Sequence, residues 1–233
     1  MRAALATTGL LELFTTDPDH ELSVRAHAAG TPVVHVSTKV LHALAETVNP
    51  QGLVGVAVLP ETDLATALTG RPSLVAVLHE VADPGNAGTV IRTADAAGAG
   101  AVVLTAGSVD PYCGKCVRAS AGSLWHLPVV VGPTLEQTVA GLRGAGLRVL
   151  ATTGGGADDL DDLADDGILG GPTAWLFGTE AHGLPAQALE AADHRVRIPL
   201  RGRAESLNVA AAAAVCLYAS ARAQRPARER GLE

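Results

Sequence analysis

The chain has 233 residues, enough for one large domain or for a small domain and a medium one, and its 48% hydrophobic content excludes an intrinsically disordered protein. No apolar run reaches the roughly 18–20 residues that span a bilayer, and the N-terminus lacks the pattern of a signal peptide. The net charge of −7 argues against a nonspecific nucleic-acid binder, although basic residues are concentrated near glycine-rich segments. We therefore expect a cytoplasmic protein with no membrane partner.

Residues 1–62 are predicted to form a small α/β unit. The unit begins with a helical segment, which is followed by a strand at 32–36, a helix at 38–47 and a strand at 53–58. The polar stretch 63–72 is predicted to be a linker, because it ends in the sequence TGRP, which breaks regular structure.

Residues 73–223 alternate apolar strands with helices. Strands are predicted at 74–78, 101–105, 128–131, 148–152, 174–177 and 195–198, and helices at 86–98, 134–145 and 206–223. Continuous apolar strands between helices predict an α/β fold, with a mostly parallel sheet and helices on both faces. The acidic segment 158–166 is expected to be solvated, and the tail 224–233 to be flexible.

The sequence DPGNAGTVIR, residues 83–92, follows the first of these strands. Ligands of open α/β sheets bind beyond the carboxyl ends of the strands, so this is a candidate ligand-binding segment. Asn86 is predicted to cap the next helix, and Gly88 shares a helix face with Arg92, where it leaves space for a ligand. A capped helix with a solvated arginine explains the segment equally well.

The sequence WLFGTEAHGLP, residues 175–185, ends another apolar strand. Glu180 is either an acid at a helix start or an anchor for a ligand or a partner arginine. His182 is interpreted as a surface residue, because no catalytic partner for it is visible in the sequence.

The sequence IPLRGRAESLNV, residues 198–209, precedes the long alanine-rich helix. Ser206 is predicted to cap that helix. Capping leaves Asn208 in the first turn unexplained, and a glycine-rich loop before a helix suits a ligand held by main-chain groups.

Two further patterns point to other kinds of site. The glycines at 154–156 follow a strand but do not form the GxGxxG fingerprint of a dinucleotide site. Cys113 and Cys116 have the spacing of a redox or zinc pair, but a zinc site needs four ligands and no second pair accompanies them. We favour cysteines that fill a loop, and expect no metal.

The three segments, in this order, resemble the motifs of the SpoU (TrmH-like) branch of the SPOUT RNA 2′-O-ribose methyltransferases. The matching residues are Asn86, Gly88, Arg92, Gly178, Glu180, Gly183, Ile198, Pro199, Gly202, Ser206, Leu207 and Asn208. Residues 1–62 are similar to the ribosomal-protein-like RNA substrate-binding domain of that family, and we expect that domain to be partial. Residues 73–223 are the expected SPOUT methyltransferase domain.

The resemblance implies a C-terminal trefoil knot, a homodimer and the cofactor S-adenosyl-L-methionine. The implied reaction is methyl transfer to a ribose 2′-hydroxyl of RNA, with ribosomal RNA favoured over transfer RNA. The resemblance places the cofactor at Thr153, Gly154, Phe177, Gly178, Ile198, Leu200, Ser206 and Leu207. It places Lys115 and Arg118 on the RNA, where Cys113 and Cys116 depart from the family pattern.

Catalysis is implied for Arg92, with Asn86, Glu180, Ser206 and Asn208 around it. Arg92 is either a base or a group that positions the RNA and stabilises negative charge. We prefer the second role, because a guanidinium holds its proton near neutral pH. A catalytically silent RNA-binding module and a nucleotide-dependent oxidoreductase are the alternative functions, and the second lacks its phosphate fingerprint.

Overall fold

The chain divides into two compact units, Met1–Pro60 and Glu61–Glu233. The structure is a computed structural model, and it describes residues 1–6, 9–45, 47–179 and 182–225. The helices and strands of the first unit are α1 (Arg2–Ala6), β1 (Leu10–Thr15), α2 (Glu21–Ala28), β2 (Val33–His35), α3 (Thr38–Leu44) and β3 (Leu53–Ala57).

The first unit contains a three-stranded sheet with β1 at its centre. Strand β1 runs parallel to β2 and antiparallel to β3. Leu13 of β1 is fully buried, and Leu22 and Ala26 of α2 are buried as well. Strand β1 was not predicted, because apolar and polar residues do not alternate strictly in its sequence LLELFT. Its pairing with β3 is irregular between Leu10 and Glu12.

The first unit ends two residues before the predicted limit at residue 62, and the second unit begins at Glu61, before the predicted start at residue 73. Its helices and strands are β4 (Glu61–Thr62), α4 (Leu64–Leu68), β5 (Leu74–Leu78), α5 (Pro84–Ala96), β6 (Ala101–Leu104), α6 (Gly114–Ala119), β7 (Val129–Val131), α7 (Leu135–Gly144), β8 (Arg148–Thr152), β9 (Asp158–Asp159), α8 (Leu160–Asp165), β10 (Thr173–Phe177), α9 (Ala186–Glu190), β11 (His194–Arg197) and α10 (Val209–Ala223).

The prediction of a linker at 63–72 is wrong. Asp63 caps helix α4 by accepting a hydrogen bond from the Thr66 N–H at 2.7 Å. Ala67 and Leu68 of this helix are buried in the same apolar cluster as residues of α7. The short helix therefore belongs to the second unit.

Among the described residues of the second unit, eight strands pair in parallel, in the order β4-β7-β6-β5-β10-β8-β11-β9. The chain leaves β8 and returns to insert β10 between β5 and β8. It then crosses to the other side of β8 to form β11. The carboxyl ends of β10, β8 and β11 consequently lie side by side.

Helices cover both faces of this sheet, which confirms the predicted α/β class. One apolar cluster joins the sheet to α5, α6, α8 and α10, and the other joins it to α4, α7 and α9. Every residue of β5 and β10 is buried, as expected for central strands of a parallel sheet. The acidic segment 158–166 was expected to be fully solvated, and this expectation is wrong. It contains helix α8, whose residues Leu160 and Leu163 are buried in the core.

The C-terminal end of α10 is tied to the sheet through Gln224. Its side-chain amide donates to the carbonyl oxygens of Gly171 at 2.8 Å and Ser73 at 3.0 Å. Gln224 therefore does not belong to the flexible tail that the sequence predicts, and residues 226–233 of that tail lie outside the described residues. None of the helices in the described ranges is long and apolar enough to cross a bilayer.

Candidate active site

A cavity of about 350 Å³ lies at the adjacent carboxyl ends of β10, β8 and β11. All eight residues that the sequence analysis placed at the cofactor line it, namely Thr153, Gly154, Phe177, Gly178, Ile198, Leu200, Ser206 and Leu207. They come from three loops that are far apart in the sequence, and the strand order brings these loops together. The position is the one expected for a ligand of a parallel sheet.

The turn after β10 depends on a close approach of two backbone segments. A Cβ atom on Gly178 would lie 2.3 Å from the carbonyl carbon and oxygen of Gly183, so no larger residue fits there without a backbone shift. Thr179 and Gly183 exchange backbone hydrogen bonds of 3.2 and 2.9 Å across this turn. Gly178 therefore shapes the wall of the cavity through backbone packing.

Gly154 has the opposite environment, because no atom lies within 4 Å of the position of a Cβ atom. The residue is exposed and lines the cavity, so a ligand can approach its backbone.

The lining suits a nucleoside-like ligand such as S-adenosylmethionine. Phe177, Ile198 and Leu207 provide apolar surface, and Thr153 and Ser206 provide hydroxyl groups. The volume lies within the roughly 300–1,000 Å³ of small-molecule pockets. An apolar lining with a few polar groups matches the common composition of such pockets, so these residues fit the expected cofactor.

The first and third sequence segments meet through two asparagines. Asn208 donates a hydrogen bond from Nδ2 to Oδ1 of Asn86, over a distance of 3.1 Å. Asn86 lies in the first turn of α5, and Asn208 immediately precedes α10.

The predicted helix caps are wrong at both segments. Asp83, not Asn86, caps α5, because its Oδ1 accepts from the Asn86 N–H at 2.8 Å. Asn208, not Ser206, caps α10 and accepts from the N–H groups of Ala210 and Ala211. Ser206 lies two residues before the cap, on the cavity wall, because the helix begins later than its sequence pattern suggests.

Arg92 is exposed on α5 and is not among the residues that line the cavity. No hydrogen bond or ion pair joins its side chain to another described residue. Gly88, one turn earlier, does not leave space for a ligand. A Cβ atom there would lie 2.6 Å from the Cys116 carbonyl oxygen and the Ala119 Cβ, so Gly88 allows α5 and α6 to pack closely.

Glu180 lies outside the described residues. His182, which was interpreted as a surface residue, is exposed but lines the cavity. Glu205, which lies within the predicted cofactor loop 198–207, also lines it, and so do Thr152, Thr179, Val196, Val209 and Ala212, which were not predicted. Most of them directly flank predicted residues, so extending each strand-end segment by one or two positions would have found them.

The predicted RNA-contacting residues Lys115 and Arg118 are both exposed on α6. Lys115 Nζ lies 2.7 Å from Asp83 Oδ2, and this contact joins α6 to the cap of α5. Hydrogen bonds from Lys115 and Asn86, in that order of strength, lower the pKa of the Asp83 carboxyl.

Cys113 and Cys116 are free thiols in the structure. Cys116 is fully buried, and burial raises its pKa to about 12. Across the described ranges, no group of three or more histidine, cysteine, aspartate or glutamate residues could hold a metal ion. The pair has the environment of packed side chains.

A second cavity, of about 550 Å³, shares Thr179, His182 and Gly183 with the first. It lies at the carboxyl ends of β5, β6 and β10 and the start of α7, where His79, Glu80, Glu136 and Gln187 face it. The sequence analysis missed this site. The polar pair His79 and Glu80 directly after the buried strand β5 was the available signal.

Comparison with known proteins identifies the family. Residues 73–218 match the SpoU rRNA methylase family. The 23S rRNA (guanosine(2553)-2'-O)-methyltransferase RlmP of Bacillus subtilis is 39% identical over 183 residues, which cover 78% of this chain and 70% of that protein. The 23S rRNA (guanosine-2'-O-)-methyltransferase RlmB of Photobacterium profundum is 29% identical, with coverage of 95% and 94%.

Solved structures agree with these relatives. The AdoMet-bound rRNA methyltransferase of Sinorhizobium meliloti matches with a TM-score of 0.82 and 31% identity, over 95% of this chain and 85% of that one. The SpoU methyltransferase AviRb of Streptomyces viridochromogenes, in complex with AdoMet, matches with a TM-score of 0.79 and 31% identity, over 95% and 86% of the two chains. This chain therefore belongs to the SpoU rRNA methylase family.

Proposed function

We propose that this chain is an S-adenosylmethionine-dependent RNA 2′-O-ribose methyltransferase that acts on ribosomal RNA. The observation that carries the proposal is the cavity at the ends of β10, β8 and β11, lined by residues of three loops that match the family motifs. Family membership and relatives named as 23S rRNA methyltransferases support the RNA substrate. A cytoplasmic location belongs to the same proposal.

Bound S-adenosylmethionine supplies a methyl group on a sulfonium. The residues of the cavity hold its nucleoside part, with Phe177, Ile198 and Leu207 as the apolar contacts. The chain contributes mainly alignment of the ribose oxygen and exclusion of water, since no covalent intermediate is needed.

Arg92 is proposed to bind the phosphate beside the target ribose and to stabilise negative charge on the 2′-oxygen, while the hydroxyl proton passes to a nearby acceptor or to water. Its exposure on α5 suits contact with RNA. The hydrogen-bonded pair of Asn86 and Asn208 is proposed to fix the start of α10 and the adjoining Ser206 relative to α5. Glu180, which lies outside the described residues, is proposed to take part in catalysis because the family motif implies it.

We also propose a homodimer with a trefoil-knotted C-terminal region, as in the family. An apolar strip on α10 supports the dimer, since Ala211, Val215 and Tyr218 recur at helical spacing and are exposed in the single chain. Size-exclusion chromatography with light scattering tests it. A monomeric mass at micromolar concentration would contradict the dimer.

The unit Met1–Pro60 is proposed to bind the RNA substrate. Ultraviolet cross-linking of the full chain to ribosomal RNA, followed by peptide mapping, should place cross-links within residues 1–60. Cross-links confined to the second unit would contradict this role.

Two measurements on the full chain test the proposed activity. Isothermal titration should detect micromolar binding of S-adenosylhomocysteine and no binding of NAD, and the reverse result would favour an oxidoreductase. Transfer of a labelled methyl group should then be followed on separate ribosomal and transfer RNA fractions. Binding without transfer to either fraction would indicate a catalytically silent RNA-binding module.

A further inference from the structure

The second cavity presents an acidic and hydrogen-bonding surface next to the first cavity. Its described lining includes two carboxylates, Glu80 and Glu136, two histidines and no lysine or arginine. Its volume of about 550 Å³ lies within the roughly 300–1,000 Å³ of small-molecule pockets. A ligand that offers several N–H donors fits this chemistry better than an anionic one.

His79 presents a further polar group to the second cavity. Its side chain is only 9% exposed, and its Nδ1 is hydrogen-bonded to Thr105 Oγ1 at 3.0 Å. Its Nε2 lies 3.9 Å from Glu80 Oε1, which is too far for a hydrogen bond. The Nε2 atom lies on a ring that Thr105 holds at the cavity wall, so it is available for a hydrogen bond with a ligand.

The two carboxylates differ in the hydrogen bonds that they accept from described residues. Glu136 Oε1 accepts a hydrogen bond from Gln187 Nε2 at 2.6 Å. The Glu80 carboxylate makes no hydrogen bond to a described residue, and its backbone has a positive φ of 53°. Glu80 is thus the group with both oxygens available to a ligand.

We propose that this cavity receives the guanine base of the nucleotide whose ribose is methylated, and that Glu80 reads that base. The inference rests on the proposed methyltransferase function. Guanine alone among the four bases places two N–H donors, N1–H and the 2-amino group, side by side on its Watson–Crick edge, where one carboxylate can accept both. Adenine and cytosine place a ring-nitrogen acceptor beside the amino group, which a carboxylate repels, and uracil offers a single N–H.

The position of the cavity is consistent with this role. Thr179, His182 and Gly183 line both cavities, so a base held in the second leaves its ribose at the wall shared with the first. Reading an unstacked base by its Watson–Crick edge is the usual mode of sequence-specific RNA recognition.

The first test identifies the methylated nucleoside. The full chain is incubated with ribosomal RNA and S-adenosylmethionine labelled in the methyl group, and the RNA is digested to nucleosides. We expect the label in 2′-O-methylguanosine. Label in another 2′-O-methylnucleoside would overturn the inference and uphold the proposed activity, whereas no label in any RNA fraction would overturn both.

The second test compares Glu80→Gln with Glu190→Gln, an exposed position on α9 outside both cavities. Loss of a charge-assisted pair of hydrogen bonds should lower kcat/KM for RNA about 10- to 100-fold, mainly through KM, in the first variant only. Binding of S-adenosylhomocysteine should be unchanged in both. Equal activity of the two variants would overturn the role of Glu80.

A third variant, Glu80→Gly, distinguishes loss of base recognition from loss of stability. Glycine suits the positive φ at this position, so the variant should have a Tm at least equal to that of the parent while losing activity as Glu80→Gln does. Guanosine 5′-monophosphate should inhibit the parent more strongly than uridine 5′-monophosphate. Equal inhibition by the two nucleotides would overturn the assignment to guanine. Inhibition by the polyamine spermidine, with no inhibition by either nucleotide, would overturn it as well.

Discussion

Asn208 holds two regions of the second unit together, because its side chain caps α10 and also donates a hydrogen bond to Asn86. The Oδ1 atom accepts from the Ala210 N–H at 2.9 Å, and the Nδ2 atom lies 3.1 Å from Asn86 Oδ1. The two asparagines are 122 positions apart in the sequence. One side chain therefore fixes both the start of α10 and its position relative to α5.

Asn208→Ala should lower the free energy of unfolding by about 1–2 kcal/mol, because both the cap and the hydrogen bond to Asn86 are lost. Chemical denaturation measures the change. Asn208→Asp is the matched variant, since a carboxylate still caps the helix but cannot donate to Asn86. The free energy of unfolding of Asn208→Asp should stay within about 0.5 kcal/mol of that of the parent, whereas its methyltransferase activity should fall to a small fraction of the parent's. Full activity of Asn208→Asp would refute a role for the pair in the site.

Gly178→Ala should destabilise the second unit by about 1–3 kcal/mol and weaken binding of S-adenosylhomocysteine, because its Cβ would lie 2.3 Å from the Gly183 backbone. Thermal denaturation and isothermal titration provide the two readouts. Gly154→Ala is the control for stability, since open space surrounds that position. Its free energy of unfolding should lie within about 0.5 kcal/mol of that of the parent. It should nevertheless bind S-adenosylhomocysteine more weakly than the parent does. Equal loss of stability in both variants would contradict this account.

Arg92→Lys should reduce kcat by about 100-fold or more, because an ammonium cannot reproduce the planar pair of donors that a phosphate and a developing alkoxide require. Stability should change by less than about 0.5 kcal/mol, since the side chain is exposed. Single-turnover methyl transfer and a denaturation curve measure the two effects. Near-normal turnover of Arg92→Lys would exclude both proposed roles of Arg92.

Alkylation of the native protein near pH 7.5 should modify Cys113 and leave Cys116 and Cys216 intact. Burial raises the pKa of Cys116 to about 12, and burial also raises the pKa of Cys216, so neither thiol forms a reactive thiolate at this pH. Cys113 is partly exposed. Peptide mapping by mass spectrometry after treatment with iodoacetamide locates the label. Simultaneous modification of Cys113 and Cys116, or one equivalent of zinc in the purified protein, would revive the interpretation as a functional pair.

The strands and the three candidate segments were predictable because their signals are local. Strands β5, β8 and β10 are short apolar runs bounded by turn residues, and their predicted limits lie within one residue of those observed. The acidic helix α8 was harder to predict, because Leu160 and Leu163 face the core from within a run of aspartates. The buried side of such a helix can be recognised only when the elements that pack against it are known.

The sequence by itself determined the α/β class and, through its resemblance to a known family, eight of the residues that line the first cavity. The class follows from hydrophobic periodicity, and the eight residues follow from the resemblance of motifs a few residues long. Only the tertiary structure decided that Asn208 pairs with Asn86, that Gly88 serves helix packing and that a second cavity adjoins the first. Each of these depends on which strands and helices are neighbours, and the order of the strands in the sheet sets those neighbours among residues that are far apart in the sequence.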